Sequence, residues 1–212
     1  MKIRWSQLIL LGLLVGCGAK NDKLPVFGRK QVVEKIVNGK TLVDTVSHKI
    51  ANFSFVNQDS TIVTNKTFDG KIYVSDFFFT SCPTICPAMK KQMLRVYEKY
   101  LNNDQVAILS HTIDPSYDNV GVLKDYSERL GVKSDKWHFV TGPEDLIYKI
   151  GEESYMVTAG ADEDAPGGYI HSGMFLLVDK ERQIRGTYDG TLEEDVDVLI
   201  NDIEKLLKEY EE

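Results

Sequence analysis

The spacing of apolar side chains divides the chain into an N-terminal β-rich stretch and a longer region in which strands and helices alternate. Two β-rich runs, residues 32–37 and 41–46, lie on either side of Asn38-Gly39. Both turn residues tolerate positive φ angles, so the pattern predicts a β-hairpin. Two further short strands are predicted at residues 53–56 and 62–64.

A nearly continuous apolar run over residues 71–79 predicts a central strand that is buried on both faces. A proline-bearing loop follows, and after it apolar residues recur at helical spacing. This spacing predicts that Met89 and Met93 are core residues. Residues 154–169 are acidic and glycine-rich without periodicity, which predicts a loop. The other predicted elements are strands at 106–113, 137–140, 173–178 and 184–188, and helices at 88–101, 120–130 (closed by Gly131), 143–150 and 191–210.

The order of these elements indicates the fold class. A βαβ unit followed by a terminal ββα unit is the order of the thioredoxin fold. We therefore predict an α/β, thioredoxin-like domain over residues 51–212. The tether and hairpin at residues 17–50 are an addition to that domain, and the sequence assigns them no function.

The N-terminal residues have the pattern of a secretory leader. Lys2 and Arg4 precede an apolar run, residues 8–15, that is far shorter than the roughly 20 residues needed to span a bilayer. Residues 14–17 resemble the lipobox of a bacterial lipoprotein, although an ordinary signal peptide with a chance cysteine has the same pattern. We expect residues 1–16 to be a signal peptide, and lipid on Cys17 to hold the protein on a membrane of the bacterial envelope, facing the periplasm.

The charge balance argues against a nucleic-acid partner. The chain has 25 basic and 32 acidic residues, a formal net charge of −7. Such a surface repels phosphate backbones, and no clustered basic stripe offsets the repulsion.

The cysteines are placed for chemistry rather than for a disulfide scaffold. With Cys17 lipidated, Cys82 and Cys86 remain, both in one short segment. A bridge between them would close a loop of about five residues, worth only roughly 2 kcal/mol by chain entropy. If the first helical turn includes both, their side chains share one face, and the helix N-terminus favours the thiolate form that binds metal and reacts.

A third ligand would make this pair specific, and the chain has four histidines. His48 and His138 are predicted to be structural or surface residues, whereas His111 ends the second buried strand near the cysteine loop. His171 lies between a glycine-containing approach and an apolar strand. His111 and His171 are therefore both candidates. Two thiolates and an imidazole suit Cu(I), or Zn(II) where a fourth ligand completes a tetrahedron.

Several segments together resemble the Sco/SenC family of extracytoplasmic, thioredoxin-like copper chaperones. Residues 77–87, with the sequence FFFTSCPTICP, are similar to the Cys-x-x-x-Cys-Pro loop of the family. Similar segments also occur at residues 113–118, 122–126 and 139–142. The resemblance, which runs from about residue 53 to the C-terminus, implies that copper is bound by Cys82, Cys86 and His171.

The chain departs from this family beside the histidine. The family often has an acidic residue directly before the copper-binding histidine, and this chain has Ile170. The carboxylates of Asp114 and Asp118, or the ring of His111, are then the candidates for supporting the site from outside the ligand set.

The resemblance implies a metallochaperone that delivers copper for assembly of the copper site of cytochrome c oxidase. Its expected partners are the oxidase subunit carrying that site and, in addition, other copper donors or thiol reductants. The alternative is an enzyme, a thiol–disulfide oxidoreductase that uses Cys82 and Cys86 to reduce the cysteines of the same subunit. A peroxiredoxin-like peroxidase is disfavoured by the Cys-x-x-x-Cys spacing and by the histidine.

Overall fold

The structure is a computed structural model, and it describes residues 23–37, 40–162 and 164–211. The strands are β1 (Gln31–Val37), β2 (Lys40–Val46), β3 (Ser54–Asn57), β4 (Ile62–Thr64), β5 (Ile72–Phe78), β6 (Val106–Thr112), β7 (Trp137–Thr141), β8 (Ala159–Ala161), β9 (Tyr169–His171), β10 (Met174–Val178) and β11 (Ile184–Asp189). The helices are α1 (Cys86–Tyr100), α2 (Val120–Leu130), α3 (Glu144–Ile150) and α4 (Glu193–Glu209). A 3-10 turn (Asn65–Phe68) and a π-helical turn (Gly151–Tyr155) complete the set.

A seven-stranded sheet forms the centre of the domain, in the order β11-β10-β5-β6-β7-β3-β4. The strands β5, β6 and β7 are parallel, and their neighbours on both sides are antiparallel. Every residue of β5, β6 and β7 is buried, which explains why their sequences are nearly continuous apolar runs. This is the thioredoxin-like α/β architecture that the element order predicts.

Alternate residues of β5 support the two faces of the sheet. On one face Phe78 lies with Met89 and Met93 of α1, both of which are buried as predicted. On the other face Phe77 contacts the ring of Tyr155, whose hydroxyl lies 3.1 Å from that of Tyr73. Successive side chains of a strand point to opposite faces, so one apolar run serves two layers.

Most predicted elements are confirmed to within two residues. The helix α2 has the predicted bounds, and it ends at Gly131, whose φ of 69° is the left-handed conformation of a C-cap. By contrast, α1 begins at Cys86, two residues before the predicted start. Cys86 is therefore part of the helix itself.

The prediction of a loop over residues 154–169 is wrong in part. The strand β8 lies within that range and pairs with β9, with Ala159 opposite His171. Its sequence, Ala-Gly-Ala, is too short and too small in side-chain volume to give an alternating pattern. The strand β9 was not predicted either, because the loop was expected to reach residue 169 and the next strand to begin at residue 173. The missed pairing of β8 with β9 holds His171 in place.

The predicted N-terminal hairpin is present as β1 and β2, which within the described chain form a separate two-stranded sheet. Both ends of the hairpin segment are fixed to the turn that joins β10 and β11. The amide of Phe27 donates to the carbonyl of Ile184, and the amide of Ile50 donates to that of Arg182, each at 2.8 Å. Residues 1–16 and Cys17 lie outside the described residues. Among the residues described, no helix is both long enough and apolar enough to cross a membrane.

A buried ion-pair network joins the N-terminal segment to the C-terminal part of the domain. The guanidinium of Arg185 contacts the carboxylates of Asp179 at 3.1 Å and Glu209 at 2.7 Å. It also donates to the carbonyls of Leu24 and Pro25, and Glu209 accepts from the amide of Leu24. The network therefore fixes the N-terminal segment to β11 and to the end of α4.

Replacing this guanidinium should destabilise the fold. We expect Arg185→Met to lower the free energy of unfolding by about 3 kcal/mol, because Asp179 and Glu209 would keep buried charge without a partner. Urea unfolding at neutral pH measures the change. The matched control is Lys124→Met, which removes a cation paired with Asp59 at the surface and should change stability little. Equal stability losses in the two variants would contradict a structural role for the network.

Candidate metal centre

The cysteines lie where β5 gives way to α1. Cys82 is in the connecting loop, and its amide donates to the carbonyl of Phe79 at 3.3 Å, which forms a tight turn. Cys86 is the first residue of α1, followed by Pro87, which needs no amide partner at that position. Both residues are buried and both thiols are free. The sequence therefore places two sulfurs at the carboxyl edge of the parallel strands, as expected.

The loop before Cys82 is held by the carboxylate of Asp118. Asp118 accepts from the amide of Thr80 at 3.0 Å and also from the Thr80 hydroxyl. It accepts in addition from the hydroxyl of Thr112, at the end of β6, at 2.6 Å. Burial raises the pKa of this carboxyl group, and the threonine hydrogen bonds oppose that rise. Asp118 thus fixes the cysteine loop to the neighbouring strand.

The imidazole of His171 reaches both sulfurs. Its Nε2 atom lies 3.4 Å from Sγ of Cys86 and 3.9 Å from Sγ of Cys82, and the ligand atoms of the three residues all lie within 4.8 Å of one another. On the other side of the ring, Nδ1 lies 3.3 Å from the carbonyl oxygen of Ser172. With its proton on Nε2 the ring can donate to the thiolate of Cys82, and with the proton on Nδ1 it can offer the Nε2 lone pair to a metal ion.

The strand β9 gives His171 its position. It pairs with β8. The next strand along the chain, β10, is hydrogen-bonded to β5, which leads to the cysteines. The edge of the His171 ring meets the face of Phe79, with centroids 5.7 Å apart. The histidine is half-buried, so the cluster has one side near solvent.

The two thiols have unlike acidities. Burial raises the pKa of each. At Cys82 burial is outweighed by hydrogen bonds with His171 and with the backbone of Thr84 and Cys86, and the pKa falls to about 6. At Cys86 burial dominates, and the pKa lies far above that of a free thiol. Near neutral pH, Cys82 is therefore the thiolate of the pair and Cys86 is the thiol.

Asp114 acts on the strand that carries the histidine rather than on the imidazole. Its carboxylate accepts from the hydroxyl of Ser116 and the amide of Tyr117, each at 3.2 Å. Burial and then the nearby Asp114 raise the pKa of Tyr169 in β9. Asp114 and Asp118 therefore lie around the site, and their carboxylates accept hydrogen bonds from residues of the surrounding loops.

His111 lies in the aromatic core of the domain. It is fully buried, and in the described structure neither of its ring nitrogens has a hydrogen-bond partner. Burial lowers its pKa to about 3, so the ring is neutral. The rings packed around it are those of Phe53, Phe55, Phe77 and Tyr155.

The other two histidines also have partners away from the cysteines. The Nε2 atom of His48 lies 2.6 Å from the carbonyl oxygen of Ser154, and Nδ1 of His138 lies 3.4 Å from the side-chain amide of Asn57. Burial lowers the pKa of His138 to about 4.

Asp76 is a site residue that the sequence reasoning missed. This buried carboxylate accepts from the hydroxyl of Ser110 at 2.5 Å, and the same hydroxyl accepts from the indole nitrogen of Trp137 at 2.8 Å. Asp76 and Cys86 line the same small cavity, and burial raises the pKa of the carboxyl group to about 6. The available signal was a single acidic residue inside an otherwise apolar strand.

Two sulfurs and one imidazole nitrogen form a soft donor set. Thiolate sulfur with few other ligands favours Cu(I) among the biological metals, whereas a structural zinc site needs a fourth ligand. Among the described residues, Cys82, Cys86 and His171 are the only group of three that could hold a metal ion in this way. The same two sulfurs could also form a disulfide or exchange with one.

Solved structures of Sco proteins have the same fold. A SCO1/SenC family lipoprotein from Bacillus anthracis is 26% identical, with a TM-score of 0.69 over 76% of this chain and 95% of that one. BsSco, a member of the Sco family of cytochrome c oxidase assembly proteins in which a disulfide switch was identified, is 28% identical, with a TM-score of 0.67 over 77% and 95%. Copper-bound ScoI from Arabidopsis thaliana is 27% identical, with a TM-score of 0.63 over 76% and 98%.

The sequence profile of one family covers most of the domain. The SCO1/SenC profile matches residues 43–208, which include the cysteine loop, the histidine and every strand of the central sheet. Together with the thioredoxin-like architecture, this match identifies the chain as a member of the SCO1/SenC family.

Proposed function

We propose that this protein binds one copper ion through Cys82, Cys86 and His171 and transfers it during assembly of cytochrome c oxidase. The observation that carries the proposal is the approach of one imidazole nitrogen to two sulfurs, at 3.4 and 3.9 Å. A thiolate is already present near neutral pH, because the pKa of Cys82 is about 6. Copper uptake then requires the loss of one further proton, from Cys86.

The site is suited to releasing copper as well as to binding it. Three ligands leave one side of a copper ion open to a ligand from another protein, and His171 is only half-buried. Copper is therefore the cargo of the protein rather than a resident cofactor. The copper-bound ScoI of Arabidopsis and the oxidase-assembly role of BsSco support this proposal.

The proposed partner is the oxidase subunit that carries the copper site, with other copper donors or thiol reductants as further partners. We place the protein in the bacterial envelope, held on a membrane by lipid on Cys17 after removal of residues 1–16, and facing the periplasm. The relative from Bacillus anthracis is itself a lipoprotein, which supports the anchor. The tether and hairpin (17–50) and the thioredoxin-like domain (51–212) then form the mature protein.

A second function, thiol–disulfide exchange, is favoured by the inequality of the thiols. Cys82 has the lowered pKa of an attacking thiolate, whereas Cys86 is the buried thiol next to it. Attack of Cys82 on a substrate disulfide would give a mixed disulfide and release one substrate thiolate. Attack by Cys86 would then release the second, so the dithiol loses two electrons to the substrate.

Loss of the histidine tests the three-ligand site. We expect the reduced protein to bind about one copper ion per chain, and His171→Ala to weaken the affinity about a hundredfold. The variant lacks one of three ligands, and mutating even a residue that only supports a ligand lowers metal affinity ten- to a hundredfold. Competition titration against a chromophoric copper(I) chelator measures the affinity.

The matched control is His48→Ala, because His48 is bonded to Ser154 and not to the cysteines. Equal affinities of the His171 and His48 variants would refute the three-ligand site. The second function has its own direct assay: the reduced wild-type protein should turn over a disulfide substrate, and no turnover above background would exclude the oxidoreductase.

The acidity of Cys82 gives a pH dependence. We expect alkylation of Cys82 by iodoacetamide to accelerate with rising pH and to reach half its plateau rate near pH 6, since only the thiolate reacts. His171→Ala should move this midpoint to higher pH, because the hydrogen bond with His171 stabilises the thiolate. Peptide mass spectrometry gives the rate at each cysteine. Cys86 should stay unmodified throughout, and faster reaction at Cys86 would contradict the assignment.

The anchor is tested by the mass of the protein purified from membranes. We expect a mature chain that begins at Cys17 and carries diacylglycerol and an acyl group on that residue. Cys17→Ser should prevent lipidation and cleavage at that position, so the chain would keep residues 1–16. An unlipidated mature chain with a free Cys17 would show an ordinary signal peptide instead.

A further inference from the structure

The segment that contains the hairpin differs in charge from the rest of the protein. Residues 23–49 hold six basic and two acidic residues, whereas residues 51–212 hold 16 basic and 29 acidic residues. A segment with a formal charge of +4 is thus attached to a domain with a formal charge of −13, so the expected absence of a basic cluster holds for the domain but not for this segment. The basic residues of the segment are Lys23, Arg29, Lys30, Lys35, Lys40 and Lys49.

The same segment exposes apolar side chains. Of the fourteen large apolar side chains that are exposed in the described chain, seven lie between residues 26 and 46. Ile36 is 80% exposed and Val43 is 67% exposed. The seven residues are Val26, Phe27, Val32, Ile36, Leu42, Val43 and Val46. Single exposed apolar residues are normal on a protein surface, but a concentration of this kind marks an interaction site.

The hairpin has little support from the domain. Within the described chain, β1 pairs with β2 alone, and all seven residues of β2 are exposed. A two-stranded hairpin in water is marginally stable without packing against a third element. The register places Val32, Ile36 and Val43 on one face together with Glu34 and two threonines, because residues 32, 34 and 36 of β1 lie opposite residues 45, 43 and 41 of β2. Leu42 and Val46 lie on the opposite face. Its exposed apolar side chains are available for contact with another surface.

We propose that residues 23–49 form a membrane-surface contact that binds anionic phospholipid headgroups. The basic residues would lie among the phosphates, and the apolar face of the hairpin would enter the boundary between headgroups and acyl chains. The charge of the segment favours an anionic surface over a neutral one. Its place in the chain favours a membrane over a protein partner, because residues 17–22 can span only about 20 Å between a lipid on Cys17 and Lys23. This inference rests in part on the proposed lipid at Cys17 and does not depend on copper binding.

Vesicle binding by the chain without its lipid tests the proposal. The chain 18–212 keeps every described contact, since the described structure begins at residue 23. We expect it to co-sediment with vesicles of equal parts phosphatidylglycerol and phosphatidylcholine, and to bind vesicles of phosphatidylcholine alone about tenfold more weakly. Added salt should weaken binding to the anionic vesicles.

Two double variants separate the apolar and basic contributions. Ile36→Glu with Val43→Glu, and Lys30→Ser with Lys40→Ser, should each lower binding to the anionic vesicles by about tenfold or more. All four side chains are exposed, so the fold and copper affinity should be unchanged. The matched control is Ile62→Glu with Val198→Glu, which makes the same change at exposed positions of the domain and should bind like the wild type.

Three outcomes would overturn the proposal. The first is that the wild-type chain does not bind the anionic vesicles, and the second is that the control loses binding as much as the hairpin variants do. The third is a change in sedimentation coefficient from dimer to monomer in the hairpin variants, which would make the hairpin an interface between two copies. None of these results bears on copper binding, so failure here is distinguishable from failure of the proposed metal site.

Discussion

The antiparallel pairing of β10 with β5 makes one site from two distant parts of the chain. Because Leu176 lies opposite Ser75, the start of β10 and the end of β5 lie at the same edge of the sheet. His171 lies three residues before the start of β10 and Cys82 lies four residues after the end of β5, so their approach follows from strand register. The short pairing of β8 with β9 then sets the final position of the ring. A shift of either pairing would separate imidazole from sulfur.

The sequence predicts well those parts of the structure whose cause is local. Buried parallel strands give long apolar runs and amphipathic helices give helical spacing, so β5, β6, α2 and α4 are predicted to within two residues. The cysteine loop is found in the same way. The strand β8 is not, since Ala-Gly-Ala has no pattern. The choice of His171 over His111 also needed more than local sequence: each histidine lies beside an apolar strand, and the family resemblance, not periodicity, distinguished them.

The environment of the site depends on tertiary register and so could not be predicted. Asp118 reaches Thr80 because β6 lies beside β5, and the hydroxyl of Ser110 joins Asp76 to Trp137 across three adjacent strands. None of these contacts has a fixed spacing along the chain. The two thiols are unequal for a similar reason, since burial is outweighed at Cys82 by hydrogen bonds with His171 and the local backbone, whereas burial dominates at Cys86. Identical residues four positions apart thus acquire different chemistry.

The attachment of the N-terminal segment and the position of the cysteine loop have a geometric consequence. Phe27 and Ile50 are fixed to the turn between β10 and β11, at the edge of the sheet remote from Cys82. The seven residues of β5 separate these edges by about 23 Å. With the proposed lipid anchor on Cys17, an upright molecule would hold a bound copper ion roughly that far above the bilayer. A recipient would then need a copper site at a similar height above the membrane, or the domain would have to tilt towards the membrane about its N-terminal tether.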